Sequence, residues 1–343
     1  MTSRGDVGAA IDRAFSFLEL EQLETGRFPA EYTVSAGVEQ LAGAAGRHAE
    51  NTPFMTALVA SSLRSSGDAR ASSMIERAIR FFEREEGPRG LWRFWCKDAS
   101  LYLQIPPDVD DTSCISALIR DVRGSAPDNI GLLLANRSRN GLFYTWFAPR
   151  VRDPRSFPWR TIVGDVNYRR LFEFWNAGAG RYDIDSIVNA NVLLYLGKRS
   201  ETESAALWLA SIAQNGGEAA SDRWYRSAAT FYHAASKCCE AGLLEPPVFA
   251  RGLLNWLRAN DWRALHILDQ AMILCALRRL GCEPEAQMKL SISLLHNQQS
   301  DGGWSSHPVF FDGRPHPLIW WGSRAVTTGY CIEALALASE VRS

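Results

Sequence analysis

Short glycine turns that close on an aromatic residue recur along this chain, and they limit its fold more than any other feature. They are "QLETGRF" (Gly26, Phe28), "EGPRGLW" (Gly90, Trp92), "RSRNGLF" (Gly141, Phe143), "NAGAGRY" (Gly180, Tyr182) and "QQSDGGW" (Gly303, Trp304). "AASDRWY" (Trp224) and "LRANDWR" (Trp262) read as degenerate copies, and the later copies stand about 40 residues apart. Self-similarity at such a period marks a repeat architecture.

After most of these turns comes a segment with apolar residues at i, i+3, i+4 and i+7, the spacing of a helix with a buried face. "DTSCISALIRDV", "DSIVNANVLLYLG", "SAATFYHAASKCCEAG", "HILDQAMILCALRRLG" and "SRAVTTGYCIEALALA" are of this kind. They are apolar on most faces and rich in small residues. A second, more amphipathic helix follows each one, as in "AALWLASIAQ", "FARGLLNWLRA" and "AQMKLSISLLHNQQ". Strand signals are scarce, and "DGG" at 301–303 and "FDGR" at 311–314 read as turns between helices.

Two helices in about 40 residues cannot bury their apolar faces alone, but stacked copies can. Six or seven units can form an open solenoid or close into a double ring. The two helix types favour the ring, with the crowded, small-residue set inside and the charged-faced set outside. In a ring the inner helices run parallel, so their electropositive N-terminal ends meet around one mouth, where carboxylates are welcome.

Collecting the first positions of each inner helix gives the groups at that mouth. They are Asn51 and Thr52; Asp108, Asp110, Asp111 and Thr112; Asp183 and Asp185, with Asn189 and Asn191 further on; Tyr225 and His233; His266 and Asp269; and Ser323 with Arg324. Aromatics flank these points, among them Trp95, Trp146, Tyr182, Trp224 and Trp321. "PPDVDDTSCISAL" is the densest stretch, with three carboxylates in four positions. A helix start needs one capping oxygen, which Asp111 or Thr112 can supply. The other carboxylates are then either solvated or mutually perturbing. Holding a carboxyl protonated near pH 7 means raising its pKa from about 4 to about 7, roughly 4 kcal/mol, from like charge and burial together. A calcium loop is the rival reading, but Ser113 stands where it needs Gly and Ile119 where it needs Glu. Magnesium shared between the carboxylates and a substrate diphosphate stays open.

On these residues, the chain resembles the class II terpene cyclases, which include squalene–hopene cyclases and copalyl-diphosphate-type enzymes. Asp108-Val109-Asp110-Asp111 is similar to their D-x-D-D motif, and Gln298 to Trp304 to their Q-W repeat. The resemblance implies an all-α (α/α)6 toroid, with residues 1–343 as one domain of the cyclase/prenyltransferase type. It implies an isomerase- or lyase-type reaction in which the middle acid, Asp110, protonates an isoprenoid alkene or epoxide. Asp108 and Asp111 would tune that acid, and ring faces would hold the cation in a dry cavity. No cofactor is required for protonation, with Mg2+ added only if the substrate is a prenyl diphosphate. The substrate-binding set would be Trp95, Trp146, Tyr182, Asp185, Asn189, Tyr225, His233, Trp321 and Arg324, with Asn189, Asn191 and His233 as candidates for quenching. Familiar members pair two helical domains. A single one here implies a partner domain or a homodimer, a small substrate, or altered chemistry. Neither the Asp-x-Cys zinc pattern of protein prenyltransferases nor D-D-x-x-D is seen. A non-catalytic toroidal scaffold and a toroid enzyme of different chemistry remain as alternatives.

The rest of the sequence narrows the setting. A net charge of -1 without a basic cluster argues against nucleic acid. No stretch approaches the roughly 20 apolar residues of a membrane span, and "MTSRGDVGAAIDRAF" lacks a signal-peptide core. The seven cysteines are scattered through apolar runs and suit a reducing cytoplasm. His307, Asp312 and His316 fall in one Pro/Gly-rich stretch, read as a loop over the mouth with a metal site as the lesser reading. Val151 to Arg160 reads as an exposed basic loop.

Overall fold

The structure is a computed structural model. It describes residues 4–35, 48–148, 180–225, 227–312 and 318–339, with isolated positions at 150, 169, 172, 173 and 175. The expectations for Val151 to Arg160 and for His316 lie outside the described residues.

Six helices form the inner layer: Pro53–Leu63, Val109–Arg123, Ser186–Leu196, Ala228–Glu240, Ile267–Arg279 and Arg324–Ser339. Each packs on its successor, and Arg324–Ser339 packs back onto Pro53–Leu63, so the ring closes. Only Ser61 among the 11 residues of Pro53–Leu63 escapes full burial. A helix enclosed on every side needs apolar residues all round, and alanines such as Ala57, Ala235 and Ala271 let neighbours approach. Outside this layer run Arg4–Glu21, Ala69–Glu85, Glu203–Asn215, Pro246–Ala259 and Pro284–His296. Ala69–Glu85 buries one stripe, Ala71, Met74, Ile75, Ala78, Ile79 and Phe82, and turns its charges outward. The fold is the all-α toroid the repeat predicts.

The glycine turns are the joints of this ring. Gln22 follows one outer helix, and its Nε2 donates to the Gly26 carbonyl at 2.8 Å and to Met74 of the next outer helix at 2.9 Å. Gln298 repeats this, donating at 2.8 Å to the carbonyls of Gly302 and of Ala10. In four of these turns the aromatic that ends the turn is fastened to the inner layer. The backbone N–H groups of Phe28, Trp92, Phe143 and Trp304 donate to Thr56, Thr112, Asn189 and Thr328 at 2.9 to 3.2 Å. In the last copy the residue at positive φ is Gly302 (φ 91), not Gly303. A Cβ there would collide with the Arg13 carbonyl, so only glycine fits.

One expectation fails. Pro308–Asp312 (β3) and Leu318–Gly322 (β4) are not loop but two paired antiparallel strands. With β1 (Ala30–Ser35) and β2 (His48–Glu50) it makes an antiparallel sheet in the order β2-β1-β4-β3. β1 pairs with β4 across almost the whole chain, for example Tyr32 with Trp321. Strands this short carry little local alternation, and their partners are too distant for pattern reading. Phe311 and Asp312 of "FDGR" thus belong to β3 and not to the end of a helix.

Candidate active site

The acidic stretch is held between two turn segments before its helix begins. The Asp108 N–H donates to the Trp92 carbonyl at 3.2 Å and that of Val109 to Thr145 at 2.9 Å. Asp108 is the N-cap of Val109–Arg123, accepting from the Asp111 N–H at 2.7 Å. One carboxylate therefore does the capping, and two remain.

Asp110 is 8% exposed and borders a cavity of about 100 Å3. Its Oδ1 accepts from the Asn191 amide at 2.7 Å, and its Oδ2 accepts a hydrogen bond from the Tyr225 hydroxyl. Burial lifts its pKa to about 6. The bonds from Tyr225 and Asn191 pull the other way, and the Asp185 carboxylate adds an upward push. Burial likewise lifts Asp108 to about 7. Burial and then the charges of Asp108 and Asp110 hold Asp111 well above the carboxylate range, and the bond between the Asp108 and Asp111 side chains favours the proton on Asp111. Asp111 Oδ2 is buried with no partner among the described residues. Crowding of the three acids is thus secondary to their removal from water, and the charge that acts on Asp110 most is Asp185.

Apart from Tyr225 and Thr145, whose hydroxyl donates to Asp183 at 2.8 Å, the rest of the cavity wall is apolar. Phe54 and Val188 come from inner-helix starts, Trp95, Ile105, Trp146 and Trp224 from connecting segments, and Phe310 and Trp321 from β3 and β4. The Phe310 and Trp321 rings stack at 5.9 Å and 10°. Phe94 meets Trp321 edge-on at 4.9 Å, and Trp146 meets Trp224 edge-on at 5.6 Å. Such a wall offers ring faces and almost no hydrogen-bond partner to a guest, apart from the carboxyls.

Asp108, Asp110, Asp111, Trp95, Trp146, Tyr225 and Trp321 come together here. Five other expected residues do not line the cavity. Tyr182 is 42% exposed and packs on Tyr144. Asp185 caps Ser186–Leu196 and also accepts from the Arg223 and Trp224 N–H groups, so both its oxygens are engaged in holding backbone. Asn189 spends its amide on the Phe143 turn and the Asp185 carbonyl. His233 pairs with Glu333 at 3.1 Å inside the ring. Arg324 binds Asp301 at 2.8 Å and lies over Phe17, at the Gly302 turn. Asp269 accepts from Ser227, and His266 stacks on His307, so that pair serves the scaffold. Phe54, Ile105, Val188 and Phe310 were missed. Phe54 and Val188 sit at inner-helix starts, where the mouth rule applies, but Phe310 arrives through strand pairing and carries no local signal.

Both oxygens of Asp110 accept hydrogen bonds, from Asn191 and Tyr225, and Asp108 accepts one from a backbone N–H.

With this geometry in view, comparison with solved structures is informative. A point variant of the type II terpene cyclase MstE from Scytonema, in complex with geranylgeranyl dihydroxybenzoate, matches with a TM-score of 0.70 at 16% identity, over 98% of each chain. The apo form matches with a TM-score of 0.67 at 16% identity, over 97% of this chain and 99% of that one. The chain thus has a class II terpene cyclase-like fold. No protein-family profile matches the sequence, and no curated protein does. No helix among the described residues is long and apolar enough to cross a membrane.

Proposed function

We propose that this protein is a class II terpene cyclase-type enzyme in which Asp110 protonates the terminal alkene or epoxide of an isoprenoid. The observation that carries this is Asp110 itself: a buried carboxyl, bordering an aromatic cavity, with its pKa lifted toward neutrality by burial. A hydrocarbon filling the cavity displaces remaining solvent and moves the equilibrium further toward the acid. When the proton leaves for the alkene carbon, the Tyr225 hydroxyl and the Asn191 amide stabilise the carboxylate by two charge-assisted hydrogen bonds. Asp108 orients the first helical turn that carries the acid, and Asp111 keeps a proton beside it.

The faces of Trp95, Trp146, Trp224, Phe310 and Trp321 then meet the carbocation. Each ring presents its negative quadrupole to positive charge and excludes water that would quench the cation early. Among the described residues the cavity is lined by no Lys or Arg. In this reading the hydrocarbon end of the substrate enters, and its polar end stays toward the mouth. That agrees with a neighbour whose bound isoprenoid ends in a dihydroxybenzoate.

The test is incubation with a panel of prenyl diphosphates, prenylated aromatic acids and free polyenes in D2O. Cyclised product carrying one deuterium is expected, with Asp110→Asn slowed by roughly 1,000-fold. Full activity in Asp110→Asn, or product without deuterium, would overturn the reading.

A further inference from the structure

Two kinds of acceptor meet the indole N–H groups of this protein. Trp92 and Trp304, packed in the core, donate to the carbonyls of Phe82 and Leu294 at 3.0 and 2.8 Å. Trp224, which lines the Asp110 cavity, donates instead to a carboxylate, Asp183 Oδ2, at 2.8 Å. A buried indole needs an acceptor, but a neutral carbonyl is enough. A charge at this ring and not at the core rings asks for a further reason.

The Asp183 side chain is 5% exposed and stands behind the cavity wall. Its Oδ2 also accepts from the Thr145 hydroxyl at 2.8 Å, and its Oδ1 pairs with Arg223 at 3.2 Å. Its carbonyl accepts from the Thr145 N–H at 3.0 Å. Asp183 therefore ties together two connecting segments, one carrying Thr145 and Trp146, the other Arg223 and Trp224. It fixes the corner where Trp146 meets Trp224 edge-on. Its charge acts on the ring as well. An anion at the N–H edge of an indole pushes electron density into the ring and deepens the negative potential of its face. The Arg223 guanidinium lies over the Trp224 ring at 5.5 Å and works in the opposite sense. Pairing with Asp183 offsets that cation.

We propose that Asp183 is a positioning residue for the carbocation, which it serves through Trp224 without touching the guest. It aims the ring at the cavity and keeps the ring electron-rich. The inference rests on the protonation reading above and concerns the step after it, survival of the cation.

The test separates the two. The intact chain is titrated with choline, a stable cation, and with dimethylbutanol, its uncharged carbon isostere, and binding is followed by the indole N–H resonances. Choline should bind in the cavity. Asp183→Asn, which keeps the size and can still accept from the indole, should weaken choline by about three- to tenfold and leave dimethylbutanol unchanged. In a Trp224→Phe background, where the N–H is gone, the same substitution should do much less. With an isoprenoid that the parent turns over, Asp183→Asn should raise the share of partly cyclised, early-quenched product. Should Asp183→Asn fail to fold, Trp224→Phe alone carries the test, and it should cost choline more than dimethylbutanol. Equal loss of both ligands would assign a merely structural role and overturn the inference. So would the absence of choline binding, or equal effects of Asp183→Asn in the two backgrounds. A parent that cyclises nothing overturns the protonation reading instead, and the choline comparison still decides this one.

Discussion

The Asn191 amide donates a 2.7 Å hydrogen bond to Asp110 from 81 residues away, across the contact between two inner helices. It prefers the ionised carboxyl, whereas burial prefers the neutral one. Asn191→Leu removes the donor and keeps the volume. We expect the Asp110 pKa to rise and turnover to drop by about 10- to 100-fold, because the leaving carboxylate loses a charge-assisted bond. A pH–rate profile checks it. The limb set by the protonated acid should move to higher pH, and a profile lower but unmoved would mean that Asn191 acts only on packing.

Tyr225→Phe should act in the same direction on the other oxygen. The ring, which meets Phe54 at 6.4 Å, stays in place, so the fold should hold. Turnover should fall by at least about tenfold with little change in KM, since the bond strengthens as the carboxylate forms. A rise in KM at unchanged kcat would place Tyr225 in substrate binding alone.

Burial of Asp110 also makes stability depend on pH. Its folded pKa of about 6 lies above the ordinary 3.8, so the folded state holds the proton more tightly. The contribution is fully present below about pH 4 and is lost as pH rises through about 6, a change of roughly 3 kcal/mol. Asp108, at about 7, extends the window upward. Asp110→Asn should therefore match the parent near pH 4 and melt at a higher temperature at pH 7. A melting difference that stays constant from pH 4 to pH 7 would contradict the burial argument.

Asn189 looked like a mouth residue and is a joint. Its side chain holds both the N–H and the carbonyl of Phe143. Asn189→Ala leaves those groups buried and unpaired, at a cost of roughly 1–3 kcal/mol by urea unfolding, with per-molecule activity retained in the folded fraction. Lost activity at unchanged stability would return Asn189 to the substrate set.

The turn glycines can be ranked by what surrounds them. Gly302→Ala meets the Arg13 carbonyl as well as a φ of 91, while Gly67→Ala, at φ 63, meets nothing within 4 Å. The first should lower the melting temperature markedly more than the second, because backbone cannot move aside as a flexible side chain can. Equal losses would show that conformation alone matters at both sites.

The repeat, the two helix layers and the acidic stretch were legible in the sequence because each depends on neighbours within a turn or two. A glycine is required where the chain reverses at positive φ, and small apolar residues where a helix is enclosed. A surplus carboxylate beside an N-cap is visible without coordinates. Which polar residues at the helix starts would face the cavity was not legible. Asp185, Asn189 and Asp110 all lie at or near inner-helix starts, yet two hold backbone and one meets the guest space. What separates them is the partner each finds on another repeat.

By itself, the sequence determined that helix pairs repeat, that they must stack to bury their faces, and that one inner helix opens with more acid than a cap can use. Only the tertiary structure decided that the hydroxyl of Tyr225, 115 residues further on, would reach Asp110, that a distant strand pair would bring Phe310 and Trp321 over it, and that burial more than crowding would lift its pKa. The physical reason is range. Helix periodicity and turn strain act along the chain, whereas desolvation and side-chain pairing act through space and exist only once the ring has closed.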